Sequence, residues 1–167
     1  MDEIINKVAN SKLVVIDLED FYPEGPRVVF DIKDWLFMEL VLKEKDFREK
    51  AKKHDWSQYK NTYVALHCSS DAIVPGWAYL LITSCLAPHA LKVVTGSLTD
   101  LENILYTEIL NQTNFSAYRD VPVIIKGCSN KPVPENAYTL LIQKLQPIAK
   151  SIFYGEACSS VPIYKRK

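Results

Sequence analysis

Apolar and polar positions along the chain predict an alternation of short strands and longer helices. Short apolar, β-branched runs typical of strands occur at 13–17, 27–31, 62–67, 92–95, 121–126 and 151–154, with a shorter run at 40–42. Longer segments with charged or helically spaced apolar positions predict helices at 3–8, 45–54, 75–87, 99–112 and 135–150. Thr99 and Glu102 have the spacing of a capping box at the start of one of these helices.

The order of these elements predicts an α/β fold. From residue 62 onward strands and helices alternate, which is typical of a parallel sheet with right-handed crossovers. The first two strands are separated by a segment with two prolines and a glycine, so we expect them to form an antiparallel hairpin. The predicted fold is a mostly parallel sheet built from two repeated βαβ units, with an N-terminal antiparallel hairpin.

The evidence for the repeat is an ungapped match between 74–96 and 133–155, at an offset of 59 residues. Nine of these 23 positions are identical, where unrelated segments would share about one or two. We interpret each copy as one βαβ unit. A length of 167 residues predicts a single domain. Its expected parts are a hairpin and helix at 1–61, a first repeat at 62–96, a connecting helix at 97–120, and a second repeat with a tail at 121–167.

The amino-acid composition indicates which kinds of binding partner to expect for this protein. Hydrophobic residues make up 48% of the chain, which suits a packed core, and 20 basic residues balance 20 acidic ones. A net charge of zero gives no electrostatic reason to expect a nucleic-acid partner. The acidic start and the shortness of the apolar runs lead us to expect no secretion signal and no membrane partner. We expect a cytoplasmic protein with reduced thiols, and a homo-oligomer is kept as an expectation.

Three Cys-Ser pairs are the main candidates for chemistry: Cys68-Ser69, Cys128-Ser129 and Cys158-Ser159. Each follows a predicted strand, and the carboxyl edge of a parallel sheet is where open α/β folds bind ligands. Three thiolates meeting there would select zinc or an iron–sulfur cluster.

A fourth ligand to such a metal is expected from the acidic residues near the same strand ends. The candidates are Glu156, Asp71 and Asp17. Asp71 and Asn130 occupy aligned loop positions in the two copies and could line one cleft. The spacings of 60 and 30 residues between the cysteines match no short zinc pattern, so buried structural thiols and reactive thiols remain open alternatives.

The chain also resembles a known family. The segments that carry the likeness are DLEDFYPEG at 17–25, HDWSQY at 54–59, KGCS at 126–129 and SSVPIYK at 159–165. With these in view, nearly the whole chain resembles a bacterial, Bacteroidetes-type family of unknown function, the domain-of-unknown-function family numbered 2480. The resemblance implies a free-standing bacterial cytoplasmic domain and transfers no catalytic residue.

Three functions of different classes follow from these observations. The first is a binding or interaction protein whose thiols are structural. The second is a metal-binding protein that holds zinc or an iron–sulfur cluster on Cys68, Cys128 and Cys158. The third is a thiol redox or sulfur-transfer enzyme that uses one of these cysteines as its nucleophile.

Overall fold

A computed structural model describes residues 13–127 and 130–167. Its strands are β1 (Val14–Asp17), β2 (Arg27–Asp31), β3 (Tyr63–His67), β4 (Lys92–Thr95), β5 (Pro122–Lys126), β6 (Ser151–Tyr154) and β7 (Val161–Lys165). Its α-helices are α1 (Glu44–Lys53), α2 (Gly76–Leu86), α3 (Leu98–Gln112) and α4 (Glu135–Leu145). The helix predicted at 3–8 lies outside the described residues. In the described part of the chain, no helix has the length and apolar character that crossing a membrane requires.

The strands form two sheets. One has the order β1-β5-β6-β7, and the other has the order β2-β3-β4. Every pairing is parallel except that of β6 with β7. The prediction of an α/β fold with mostly parallel strands is therefore confirmed, whereas the prediction of one sheet is wrong for the strands described.

The predicted N-terminal antiparallel hairpin is also wrong. β1 pairs in parallel with β5, with Val14 opposite Val123, and β2 pairs in parallel with β3, with Arg27 opposite Tyr63. β1 therefore pairs with a strand much later in the chain, whereas β2 pairs with the next strand, which follows α1. The short run at 40–42 is not a strand either; Phe37 and Val41 form an isolated antiparallel bridge there.

The chain divides into two compact units that are not consecutive segments. The central unit is Pro23–Ile104 and contains the β2-β3-β4 sheet. The terminal unit consists, among the described residues, of 13–22, 105–127 and 130–167, and it contains the β1-β5-β6-β7 sheet. The residues of α3 are shared between them. That the whole chain is one domain stays a prediction.

In the terminal unit, the core lies between the sheet and the helices. Ala137, Leu141 and Leu145 recur every four residues along α4 and are at most 1% exposed, so one stripe of this helix is buried. Tyr106 of α3 is 1% exposed, and its hydroxyl donates a hydrogen bond of 3.0 Å to the Leu18 carbonyl. The buried hydroxyl of Tyr106 therefore keeps a hydrogen-bond partner.

The central unit has an equivalent core. Ala78, Ile82 and Leu86 form the buried stripe of α2 at the same four-residue spacing, and all three are fully buried. A group of aromatic rings surrounds Phe30 at centroid distances of 5.2 to 6.0 Å: Trp35, His54, Trp56 and Tyr59. The indole nitrogen of Trp56 donates to the Ala51 carbonyl at 2.8 Å. Trp35 and Trp56 therefore pack against this core.

The start of α3 differs from the prediction. The capping box is formed by Ser97 and Asp100: the Ser97 amide donates to the Asp100 carboxylate at 2.7 Å, and the Asp100 amide donates to the Ser97 hydroxyl at 3.2 Å. The proposed box of Thr99 and Glu102 is wrong because the Glu102 carboxylate has another partner. It accepts two hydrogen bonds from Arg27, at 2.7 and 3.2 Å.

β7 was not predicted. It is a short strand at the edge of the terminal unit's sheet, it contains Pro162, and its pairing with β6 shifts register near Ile152. Proline cannot donate to a strand ladder, so it is found at edges and bulges and weakens the sequence signal of a strand. This strand matters for the site because it extends the sheet beyond β6.

Candidate functional site

The carboxyl edge of the central unit's sheet is organised by Asp31, the last residue of β2. Its carboxylate accepts hydrogen bonds from the amides of Lys33 and Ser69, both at 3.0 Å, and from the Ser69 hydroxyl at 2.5 Å. His67, the register partner of Asp31, places Nε2 at 3.9 Å from the same carboxylate. Asp31 therefore ties the loop after β3 to the end of β2.

The environment of Asp31 lowers its pKa. Burial alone would raise this pKa, but the hydrogen bonds from Ser69 and Lys33, together with the charge of His67, outweigh burial and hold it below the usual value. The carboxylate is thus the form that this loop stabilises.

We expect Asp31→Asn to lower the free energy of unfolding by about 1–2 kcal/mol near pH 7 through its weakened hydrogen bonds. Because the folded pKa is depressed, the charged form stabilises the fold above the unfolded pKa of about 4 and loses this effect as pH falls through the folded pKa. Urea unfolding of both proteins from about pH 7 to pH 3 should show their difference narrowing below about pH 4. Asp34→Asn, at an exposed position three residues later, is the control, and equal losses from the two variants would contradict the assignment.

Cys68 follows β3 and is half-buried against the core of the central unit. Its sulfur lies 3.3 Å from the Ser70 hydroxyl oxygen. Burial, followed by the proximity of Cys68 and Asp31, raises the pKa of the Tyr79 hydroxyl. Asp71 is exposed in the next turn and lines a shallow cleft of about 410 Å³ with Ser69.

The carboxyl edge of the terminal unit's sheet has a related arrangement around Lys126. Its ammonium group lies 3.3 Å from the carboxylate of Asp17, its register partner, and 3.9 Å from that of Glu156. The hydrogen bond to Asp17 and the charge of Glu156 raise the pKa of Lys126. The amide of Asn130 donates to the Glu19 carboxylate at 2.9 Å. Acidic side chains after β1 therefore hold the loop after β5.

One sequence signal at these edges was missed. Asp, an aliphatic residue, any residue, Asp and an aromatic residue follow one another at both 17–21 and 31–35. In both places the first Asp ends a strand and caps a short 3₁₀ helix by accepting the amide hydrogen bond of the residue two positions later. β1 and β2, which belong to different units, therefore end in the same local pattern.

The three Cys-Ser pairs are distributed over the chain as follows. Cys68 and Ser69 belong to the central unit, and Cys158 and Ser159 lie in the β6–β7 turn of the terminal unit, where Cys158 is exposed and the Ser159 amide donates to the Glu156 carbonyl at 2.9 Å. Cys128 and Ser129 lie outside the described residues. In the described ranges, no three His, Cys, Asp or Glu side chains are grouped to hold a metal ion. A shared site for the three cysteines stays a prediction.

A pocket that the sequence did not predict lies in the terminal unit, between α4 and the strands β5, β6 and β7. Its volume is about 530 Å³. We call it the α4 pocket, and its lining consists of Ile125, Val133, Glu135, Tyr138, Ile142, Phe153, Tyr154 and Ile163. Since β7 was not recognised in the sequence, the wall that Ile163 provides was not foreseeable.

Gly127 allows a close approach next to this pocket. Its φ of +146° is one that side-chain-bearing residues rarely adopt, and a Cβ there would lie 3.1 Å from both the Leu18 Cβ and the Tyr138 hydroxyl oxygen. Glycine at the end of β5 therefore lets Tyr138 lie against the backbone. The rings of Tyr138 and Tyr154 meet edge to face, with centroids 5.8 Å apart.

Comparisons with known proteins agree with the likeness drawn from the motifs. Searches of the curated proteins and of the solved structures find no match. A family model described as "Protein of unknown function (DUF2480)" matches residues 2–166. Because this match spans nearly the entire sequence, the chain belongs to the DUF2480 family of proteins of unknown function.

Proposed function

We propose that the protein binds a small molecule in the α4 pocket and that its thiols are structural. The observation that carries the proposal is the pocket itself, which has about 530 Å³ of space, an apolar and aromatic lining and few polar groups. Ligand sites for small molecules have volumes of about 300–1,000 Å³ and this kind of lining.

The position of the pocket supports the same function. Tyr154 is the last residue of β6, and Glu135 and Tyr138 belong to the first turns of α4, so the pocket opens near the carboxyl ends of parallel strands. Open α/β sheets bind their ligands at this edge. The antiparallel strand β7 closes a side that α4 leaves uncovered.

The structural role of the thiols is supported by Cys68. This side chain packs on the core, and its sulfur has the Ser70 hydroxyl as a neighbour. Such contacts are typical of a cysteine whose role is packing in the core. The zinc, iron–sulfur and thiol-enzyme alternatives, the cytoplasmic location and the homo-oligomer stay predictions.

We also propose that the two units are copies of one ancestral unit, which is the finer form of the repeat hypothesis. Both units contain the order strand–helix–strand, in β3-α2-β4 and in β5-α4-β6. The helices α2 and α4 also bury residues at the same spacing. Gly96 and Gly155, 59 residues apart, both have positive φ. The repeated Asp pattern adds the first strand of each unit to the copied segment.

Arginine at position 163 is expected to block the α4 pocket. Ile163 is 52% exposed, so Ile163→Arg can be accommodated without disturbing the core, while the long cationic side chain reaches over the opening. A library of small aromatic and aliphatic compounds, screened by saturation-transfer NMR, should give hits with the natural protein that Ile163→Arg weakens at least tenfold. Leu80→Arg, at a 71% exposed position of the central unit, is the matched control and should keep the hits. Hits of equal strength with all three proteins would place binding elsewhere.

A further inference from the structure

The lining of the α4 pocket indicates the chemistry of its ligand. Several lining residues differ from the residues at the equivalent positions of the central unit. Two lining positions are identical to their equivalents at the 59-residue offset: Val133 corresponds to Val74, and Tyr138 corresponds to Tyr79. The positions that differ include one charged residue and two aromatic residues of the pocket. Glu135, Phe153 and Tyr154 of the pocket correspond to Gly76, Val94 and Thr95 in the central unit.

These differences add aromatic surface and one charge to the terminal unit. Phe153, Tyr154 and Tyr138 give the pocket three aromatic rings, whose faces attract flat ring systems and cations. Glu135 is the charged residue of the lining. It belongs to the first turn of α4, at the opening near the ends of the strands.

The surrounding edge of the sheet is acidic as well. In the terminal unit, the last residues of β1 and β5 and the described turns after β1, β5 and β6 include four further acidic residues: Asp17, Glu19, Asp20 and Glu156. Lys126 and Lys131 are the basic residues of the same stretches, and the ammonium group of Lys126 is already held by Asp17 at 3.3 Å. A ligand entering here therefore meets an excess of negative charge, which favours cations over anions.

We propose that the α4 pocket binds a small molecule that carries a protonated amine on a flat aromatic ring, an inference that rests on the proposed binding function. The ring lies among Tyr138, Phe153 and Tyr154, and the ammonium group faces the Glu135 carboxylate. The charge of Glu135 and the cation–π attraction of the tyrosines act in the same direction, so the two together select the cation.

The test compares three probes that share one ring and differ in charge: tryptamine as the cation, indole as the neutral compound and indole-3-acetate as the anion. Each is titrated near pH 7 into the full-length protein, up to millimolar concentration, and binding is followed by the amide shifts of α4 and β6. Tryptamine is expected to bind about fivefold or more tightly than indole-3-acetate, with indole between them. Glu135→Gln should remove most of this preference. Glu108→Gln, which removes the same charge from an exposed position of α3, should retain it.

The outcomes separate the two proposals. Equal binding of tryptamine and indole-3-acetate, or a preference for the anion, would overturn the ligand class and leave the binding function standing. A preference for tryptamine that survives Glu135→Gln would also overturn the assignment of the carboxylate. Failure of all three probes to shift the α4 and β6 amides would overturn both the ligand class and the binding function of this pocket.

Discussion

Arg27→Met is expected to lower the free energy of unfolding of the central unit by about 3–5 kcal/mol, because it leaves a buried carboxylate without its partner. The side chains of Arg27 and Glu102 are 10% and 9% exposed, and two hydrogen bonds join them. The guanidinium also donates to the carbonyls of Pro23 and Gly25, at 2.7 and 2.6 Å, and lies 4.9 Å from the centre of the Tyr63 ring. One residue thus joins β2, the preceding turn and α3.

The measurement is urea unfolding followed by tryptophan fluorescence. All three tryptophans fall within residues 23–104, so this signal reports on the central unit. The double variant Arg27→Met/Glu102→Leu should recover much of the loss, since neither charge then stays buried alone. Arg48→Met is the matched control: its ion pair with Glu44 is 49% and 63% exposed, and its loss should cost less than about 1 kcal/mol. Equal effects of Arg27→Met and Arg48→Met would contradict the proposed role of burial.

Gly96→Ala is expected to cost about 2–4 kcal/mol through strain at a positive φ and damage to the cap of α3. The φ of Gly96 is +141°, and a Cβ there would lie 2.6 Å from the Asp100 carboxylate oxygen and 2.8 Å from its Cβ. Either Asp100 must move, which breaks its hydrogen bonds with Ser97, or the end of β4 must shift. The same urea experiment measures the effect.

Gly76→Ala is the matched control for this substitution. Gly76 is the first residue of α2, and a Cβ added there would meet no atom within 4 Å. Alanine at this position should therefore leave the free energy of unfolding unchanged or raise it by up to about 1 kcal/mol. A loss at Gly76 as large as that at Gly96 would show that the backbone argument is mistaken.

The sequence predicted the positions of the strands better than it predicted which strands pair with each other. Apolar β-branched runs located β1 to β6, because such residues fit the pleated surface of a strand. Pairing was not predictable in the same way: the turn between β1 and β2 has hairpin composition, yet β1 pairs with the distant strand β5 and β2 pairs with β3. The Asp pattern shared by 17–21 and 31–35 was the available signal that these two strands end in the same way.

The candidate site was predictable only in its location. The sequence drew attention to the carboxyl edges, where Asp31 and Asp17 contact the following loops. The α4 pocket depends on β7, and Pro162 weakens the sequence signal of that strand. The capping box illustrates a similar limit. Ser97 with Asp100 and Thr99 with Glu102 have the same spacing. The structure has Ser97 directly before the first residue of α3, and it pairs the Glu102 carboxylate with Arg27.

The order of strands along the chain has a consequence for biosynthesis. The ribosome releases β2, β3 and β4 as one continuous stretch, so the central unit has all its strands early. β1 emerges first of all, but its partner β5 follows only about a hundred residues later, which leaves an apolar strand without its neighbour during most of translation. The β1–β5 pairing can therefore form only after most of the described strands have been synthesised.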